Sequence, residues 1–223
     1  MFNIIKQYLK FILDFVAPRR SDAVIVSKIT PGNIDKLPSA PSVEGLQWIH
    51  PLFHYKDNRV RALVWELKYE ENLSAMPAVG QILYDEIIAL VSDVLLFDSD
   101  AKFLLVPVPI SVERRIERGY NQSEHIAKSI LPYDSQRFLL YAPQWLEKIK
   151  DTPRQSRTGS RAERLANLTG CFSANSRVDG YYVILIDDVV TTGATLSEAR
   201  HALLSSGARD VFASQLPTNM IEC

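Results

Sequence analysis

Apolar residues along this chain fall into two kinds of pattern, unbroken short runs and longer stretches in which they recur every three or four positions. The clearest run is Val183-Ile184-Leu185-Ile186, four apolar residues of which three are β-branched. Such a run predicts a strand buried on both faces. Lys102–Ile110 repeats the pattern with Phe103, Leu104, Leu105 and Val106, and Pro107-Val108-Pro109 ends it, because proline cannot donate to a strand ladder. Leu46–Tyr55 and Val211–Leu216 predict two further strands. Helical spacing marks Asn58–Tyr69 through Val60, Leu63, Val64 and Leu67. It marks Ala78–Leu96 through Ile82, Ile87, Leu90, Val91 and Val94, and Leu196–Leu204, with Gly207 as the stop. A basic segment from Glu113 through Ile126 and Ala127 to Leu131 also predicts helix. Between these, Ala17–Gly45, with four prolines and two glycines, predicts a loop-rich connector, and Tyr133–Trp145 a linker. Buried strands alternating with amphipathic helices predict an α/β fold, a mostly parallel sheet flanked by helices on both faces.

The end of the 183–186 run carries the chemistry. Asp187 and Asp188 follow it directly, and then Thr191-Thr192-Gly193-Ala194-Thr195 leads into the next predicted helix. Ligands of open parallel sheets bind outside the carboxyl ends of the strands, where this acidic pair falls. A small, hydroxyl-rich loop at a helix start presents backbone N–H groups and a favourable dipole to a phosphate. Gly193 leaves the backbone open to close approach. Two carboxylates accept hydrogen bonds from vicinal sugar hydroxyls and help to hold magnesium. A ribose 5-phosphate suits both halves; an acidic strand end with an ordinary capped helix is the plainer alternative.

Two arginine-rich segments bear on the same ligand. Arg114 and Arg118 stand four apart after the Pro107 strand end and can reach one anion, although a solvated basic face is as common for such a run. Their position after a neighbouring strand end points to a pyrophosphate site. Residues 151–161 are polar, basic and without periodicity, and their Arg154, Gln155 and Arg161 read as a lid over the substrate's phosphates or else as a solvated connector. His50 and His54 are also four apart, but Pro51 between them argues against a helical metal pair.

Bulk properties alter the picture little. The 223 residues suffice for one large or two small domains. The formal net charge of −1 gives no global field to recruit nucleic acid or an anionic membrane. Two cysteines, Cys171 and Cys223, form no disulfide framework, which suits a reducing, cytoplasmic setting. Met1–Val16 reads as an amphipathic helix with Phe2, Ile5, Leu9, Ile12 and Val16 on one side. Lys6, Lys10 and Asp14 interrupt it too often for a membrane span or a secretory leader. It packs on its own domain, or else docks on a partner or a membrane surface.

The run from Asp187 to Thr195 resembles the phosphoribosyl-pyrophosphate motif of type I phosphoribosyltransferases. Pro107-Val108-Pro109 with Arg114 and Arg118-Gly119-Tyr120-Asn121-Gln122 is similar to the signature of ComF-type proteins. So is Asp151-Thr152-Pro153-Arg154-Gln155 with Arg161, Arg164 and Asn167 before Cys171-Phe172, and Leu67-Lys68-Tyr69 resembles an upstream helix of the group. The similarity covers about residues 50 to 217. The resemblance implies a type I phosphoribosyltransferase-like fold with a helical N-terminal extension, similar to amidophosphoribosyltransferase. It implies that Asp187 and Asp188 hold ribose hydroxyls and, with the substrate, magnesium. Thr191 to Thr195 would hold the 5-phosphate, and Arg114 and Arg118 the pyrophosphate. ComF-type proteins are associated with DNA uptake in natural competence. Relatives often carry a zinc ribbon of paired cysteines after an N-terminal helix ending in proline and arginine; here Ala17-Pro18-Arg19-Arg20 is present, no cysteine precedes Cys171, and no zinc site is expected.

The expected organisation is an amphipathic helix and connector (1–45), a hood-like helical part (46–96) and a phosphoribosyltransferase core (97–223). The expected function is transfer of phosphoribosyl from phosphoribosyl pyrophosphate to an unknown acceptor with release of pyrophosphate. The alternative is a non-catalytic competence factor that uses the fold to bind single-stranded DNA or a helicase partner. A nucleotide-sensing regulator is a third possibility.

Overall fold

The computed structural model describes residues 21–40, 45–54, 56–69, 73–150, 169–188 and 193–218. Seven strands are found among them. They are β1 (Ile49–His54), β2 (Phe103–Pro107), β3 (Leu139–Tyr141), β4 (Leu146–Lys148), β5 (Phe172–Ala174), β6 (Tyr182–Asp187) and β7 (Asp210–Thr218). The α-helices are α1 (Ser21–Val26), α2 (Asn58–Tyr69), α3 (Met76–Phe97), α4 (Val112–Arg118), α5 (Gln122–Ile130) and α6 (Ala194–Ser205). Five strands form one sheet in the order β1-β7-β6-β2-β3, every neighbouring pair parallel, and β4 and β5 pair antiparallel as a separate ribbon. The fold is α/β, a parallel sheet flanked by helices, as the type I phosphoribosyltransferase resemblance implies.

Strand composition explains the order of burial. β2 and β6 occupy the middle of the sheet, and Leu104, Leu105, Val106, Val183, Leu185 and Ile186 are fully buried. One face packs against α2, α3 and α5 through Leu63, Leu83, Ile87, Ile126 and Ile130. The other packs against α6 and the ribbon through Leu196, Ala199, Leu203, Leu146 and Phe172. At Gly80 the crossing of α3 with α5 is so close that a Cβ would lie 2.0 Å from the carbonyl oxygen of Ser129. Any side chain there would push the two helices apart.

The edges depart from the pattern. β1, inside the 46–96 region, is hydrogen-bonded into the sheet beside β7, and Pro51 is tolerated because the strand lies at the sheet's edge. The 17–45 connector is less irregular than its prolines predict. It contains α1 and a 3-10 turn at Ile34–Lys36, and it buries Val26, Ile29, Ile34 and Leu37. It also runs along the outside of β1: the Ala40 N–H donates to Leu52 O at 3.1 Å and the His54 N–H to Pro38 O at 2.9 Å. The linker at 133–145 holds the edge strand β3, three residues long, with Leu140 exposed. The helix expected from 113 to 131 is two helices, because Gly119 turns left-handed (φ 83°) and ends α4. The N-terminal helix expected over 1–16 and the lid region 151–161 lie outside the described residues. Among the described residues, no helix is long and apolar enough to cross a membrane.

Candidate functional site

Strand order locates the site before any side chain is considered. From β2 the chain moves outward to β3, and from β6 it moves the other way to β7. The two adjacent strands therefore send their connections to opposite sides. A crevice opens at their carboxyl ends, and this is where ligands of such sheets bind. Pro107 ends β2 and Asp187 ends β6.

The loop leaving β2 is fastened to β6 and to the helix above it. The Val108 N–H donates to Ile186 O at 2.9 Å. Ser111 caps α4, its Oγ accepting from the Arg114 N–H at 3.3 Å. After Gly119, Asn121 begins α5. Its Oδ1 accepts from the Ser123 N–H at 3.1 Å, and its Nδ2 donates to Val108 O at 3.0 Å. Asn121 is 2% exposed, so one buried amide joins the β2 exit to the start of α5. Ser123, one step further, donates its Oγ proton to Asp187 Oδ1 at 3.2 Å. The same carboxylate oxygen accepts the Asp188 N–H at 2.9 Å. The first carboxylate of the pair is thus oriented by the start of α5 and by its own chain neighbour.

Two helix N-termini converge on this crevice. α5 starts beside Asp187, and α6 starts at Gly193, which is left-handed (φ 72°) and has no side-chain cap. The dipole at a helix start favours an anion, and both of these starts follow a strand's carboxyl end. Ala194 is buried and Thr195 half-buried, at the first two positions of α6. Thr191 and Thr192 lie outside the described residues. Arg114 is half-buried on α4, while the neighbouring Arg115 pairs with Glu124 in the first turn of α5. Arg118 is the last residue of α4. At the rim, burial raises the phenol of Tyr141 above its ordinary pKa of 10.0, and the nearby Glu124 adds to the effect.

Arg154, Gln155 and Arg161 lie outside the described residues, but both ends of their segment are visible. β4 and β5 form its stem, closed by the Ile149 N–H donating to Cys171 O at 2.8 Å. Glu198 on α6 accepts the Gly170 N–H at 2.5 Å. The base of the arginine-rich segment is therefore joined to the helix that starts at the acidic-pair loop.

His50 lies on β1, not on a helix, so it forms no i,i+4 pair with His54. Two features carry no mark in the apolar pattern. Ser123 as a partner of Asp187 follows only from the fold. Gln215 and Ser214 are buried polar residues of β7, level with Asp187 and Ile186.

No protein-family model matches the chain. It is 37% identical over 108 residues to the competence protein ComFC of Bacillus subtilis, covering 48% of this chain and 41% of that one. It is 28% identical over 149 residues to the DNA utilization protein YhgH of Salmonella typhimurium, covering 67% and 63%. It is 31% identical over 111 residues to the competence protein ComFC of Streptococcus pneumoniae, covering 49% and 46%. The matched region spans about half the length of these curated relatives.

Proposed function

Because the chain belongs to the ComF-type family, we propose that it acts in DNA uptake or utilization through a phosphoribosyl-pyrophosphate site at the carboxyl ends of β2 and β6. The observation that carries this reading is the placement of Asp187. It ends β6 at the strand-order switch, oriented by Ser123 and flanked by the starts of α5 and α6. In the proposal Asp187 and Asp188 accept the ribose hydroxyls, and the loop through Thr191, Thr192, Gly193, Ala194 and Thr195 takes the 5-phosphate. Arg114 and Arg118 face the pyrophosphate, and Arg154, Gln155 and Arg161 close over it. Magnesium is typically held by one or two carboxylates together with substrate phosphates, and the acidic pair offers that donor set. When bound, the ion neutralises charge on the departing pyrophosphate. The protein's part is to hold the sugar and stabilise the leaving group rather than to supply a covalent nucleophile. The acceptor is unassigned.

A second reading rests on the relatives' names, competence protein and DNA utilization protein. Here the fold binds single-stranded DNA or a helicase partner without transfer. Arg114, Arg118, Arg154 and Arg161 would contact backbone phosphates. The acidic pair opposes it, because carboxylates repel a nucleic-acid backbone.

Calorimetry separates the two. Phosphoribosyl pyrophosphate with magnesium should bind the wild-type protein. The double variant Asp187→Asn, Asp188→Asn should remain folded and lose about a hundredfold in affinity, since amides hold no cation and are weaker acceptors. Unchanged affinity would remove the ribose assignment. Tight, steeply salt-dependent binding of single-stranded DNA, with no affinity for phosphoribosyl pyrophosphate, would favour the second reading.

A further inference from the structure

Gln215 is a buried polar group for which the proposed site has no use. It lies in β7 with 0% exposure, and among the described residues neither its amide nitrogen nor its amide oxygen has a hydrogen-bond partner. Val211 and Ala213 precede it at two-residue spacing, and both are buried in the layer beneath α6. Strand alternation makes Gln215 the next position of that row, where an aliphatic side chain would complete the packing. An amide stands there instead, with its bonds unmade. A buried polar group without partners costs the fold free energy, and in a native protein it calls for a specific explanation.

Its place supplies one. Gln215 is in register with Asp187 on one side and with Pro51 on the other. Adjacent strands are about 4.8 Å apart, so an amide on one lies within the reach of a single water from the end of its neighbour. Ser214 Oγ, also buried and without a partner among the described residues, is in register with Ile186. The unspent polar groups of β7 are therefore level with the end of β6, beside the acidic pair.

We propose that Gln215 is a positioning residue of the phosphoribosyl site, its amide making its hydrogen bonds, directly or through one ordered water, only when the site beside Asp187 is occupied. The inference rests on the phosphoribosyl-pyrophosphate reading and deepens it. A group satisfied only in the bound state adds to affinity what it withholds from the stability of the free protein. The ligand class is a sugar phosphate carried with a divalent cation.

The test uses Gln215→Leu, which keeps the volume and removes the amide. Its melting temperature without ligand should equal or exceed that of the wild type, because replacing an unsatisfied buried amide by an apolar group relieves a cost. Its affinity for phosphoribosyl pyrophosphate with magnesium should fall about tenfold. In the wild type, NMR should show the Gln215 side-chain amide protons shifting and exchanging more slowly on saturation with that ligand. This arm needs no variant and decides the matter if Gln215→Leu does not fold. Equal affinity in the folded variant, a lower melting temperature with affinity intact, or amide signals indifferent to ligand would each overturn the inference and leave the binding site standing. A wild-type protein that does not bind phosphoribosyl pyrophosphate would instead remove the site, and the inference with it.

Discussion

At the amino end of the sheet, Asp98 accepts a hydrogen bond from the Tyr182 hydroxyl at 3.3 Å and pairs with Arg209, whose guanidinium lies 5.9 Å from the Tyr182 ring centroid. Backbone bonds from Tyr182 to Lys102 and from Arg209 to Tyr181 close the same corner. At the carboxyl end, Tyr141, Ser214 and Gln215 each bury a polar atom that has no partner among the described residues. Two carboxylates stand side by side there, and two helix starts face the crevice. One end of the same strands spends its polar groups on the fold, whereas the other keeps several unspent. Proteins depart from local optimality at sites that serve something other than stability, and here three such residues lie at one end.

The comparison is sharpest at Asn121, a residue of the carboxyl end whose side-chain bonds serve the fold. Asn121→Ala should cost about 2 kcal/mol, because it leaves Val108 O and the Ser123 N–H without their partner in a buried place. Urea denaturation would measure it. Affinity for phosphoribosyl pyrophosphate should fall as well, since Ser123 positions Asp187. A loss of stability with affinity untouched would break the link between Asn121 and the site.

Asp98→Ala provides the contrast at the amino end. Asp98 and Arg209 keep side-chain exposures of 21% and 53%, so the pair should be worth no more than about 1 kcal/mol. Thermal unfolding should register a small decrease and calorimetry no change in ligand affinity. A change in affinity would mean that the two ends are not independent.

The smallest effect belongs to His50. Burial lowers its pKa below the ordinary 6.5, and Glu86 pulls it partly back. The unfolded chain then takes up the proton at a higher pH than the folded one. The contribution of His50 is therefore complete above pH 6.5 and is lost as the pH falls through and below that value. His50→Gln should flatten that part of the stability–pH curve. An unchanged curve would exclude His50 as its source.

Much of this was legible in the residue pattern because burial writes itself as apolar runs. β6, β2, α2 and α6 were foreseen for that reason, and so was the acidic pair at a strand end. β3 was missed because a three-residue edge strand with Leu140 exposed has too little apolar signal to stand out from a linker. The division of α4 from α5 had a signal in capping chemistry: Gly119 as a stop, then Asn121 with Glu124 three residues later as a new start. Periodicity alone ran through it. The Ser123–Asp187 bond joins residues 64 positions apart, and no local pattern could announce it. In the sequence nothing distinguishes Gln215 from the polar half of an ordinary strand alternation. Only the covering layers turn it into a buried amide.

The connector along β1 has a consequence for assembly. An open sheet edge is a template on which another chain can add a strand. Here one border is occupied by the chain's own residues 38–40 and carries Pro51, and the other is a strand only three residues long. Among the described residues, neither border offers a long ladder for recruiting an extended peptide or for polymerising with a second molecule. Recognition of another protein by the described part of this sheet would thus draw on side chains of its helices and loops rather than on the backbone of its borders.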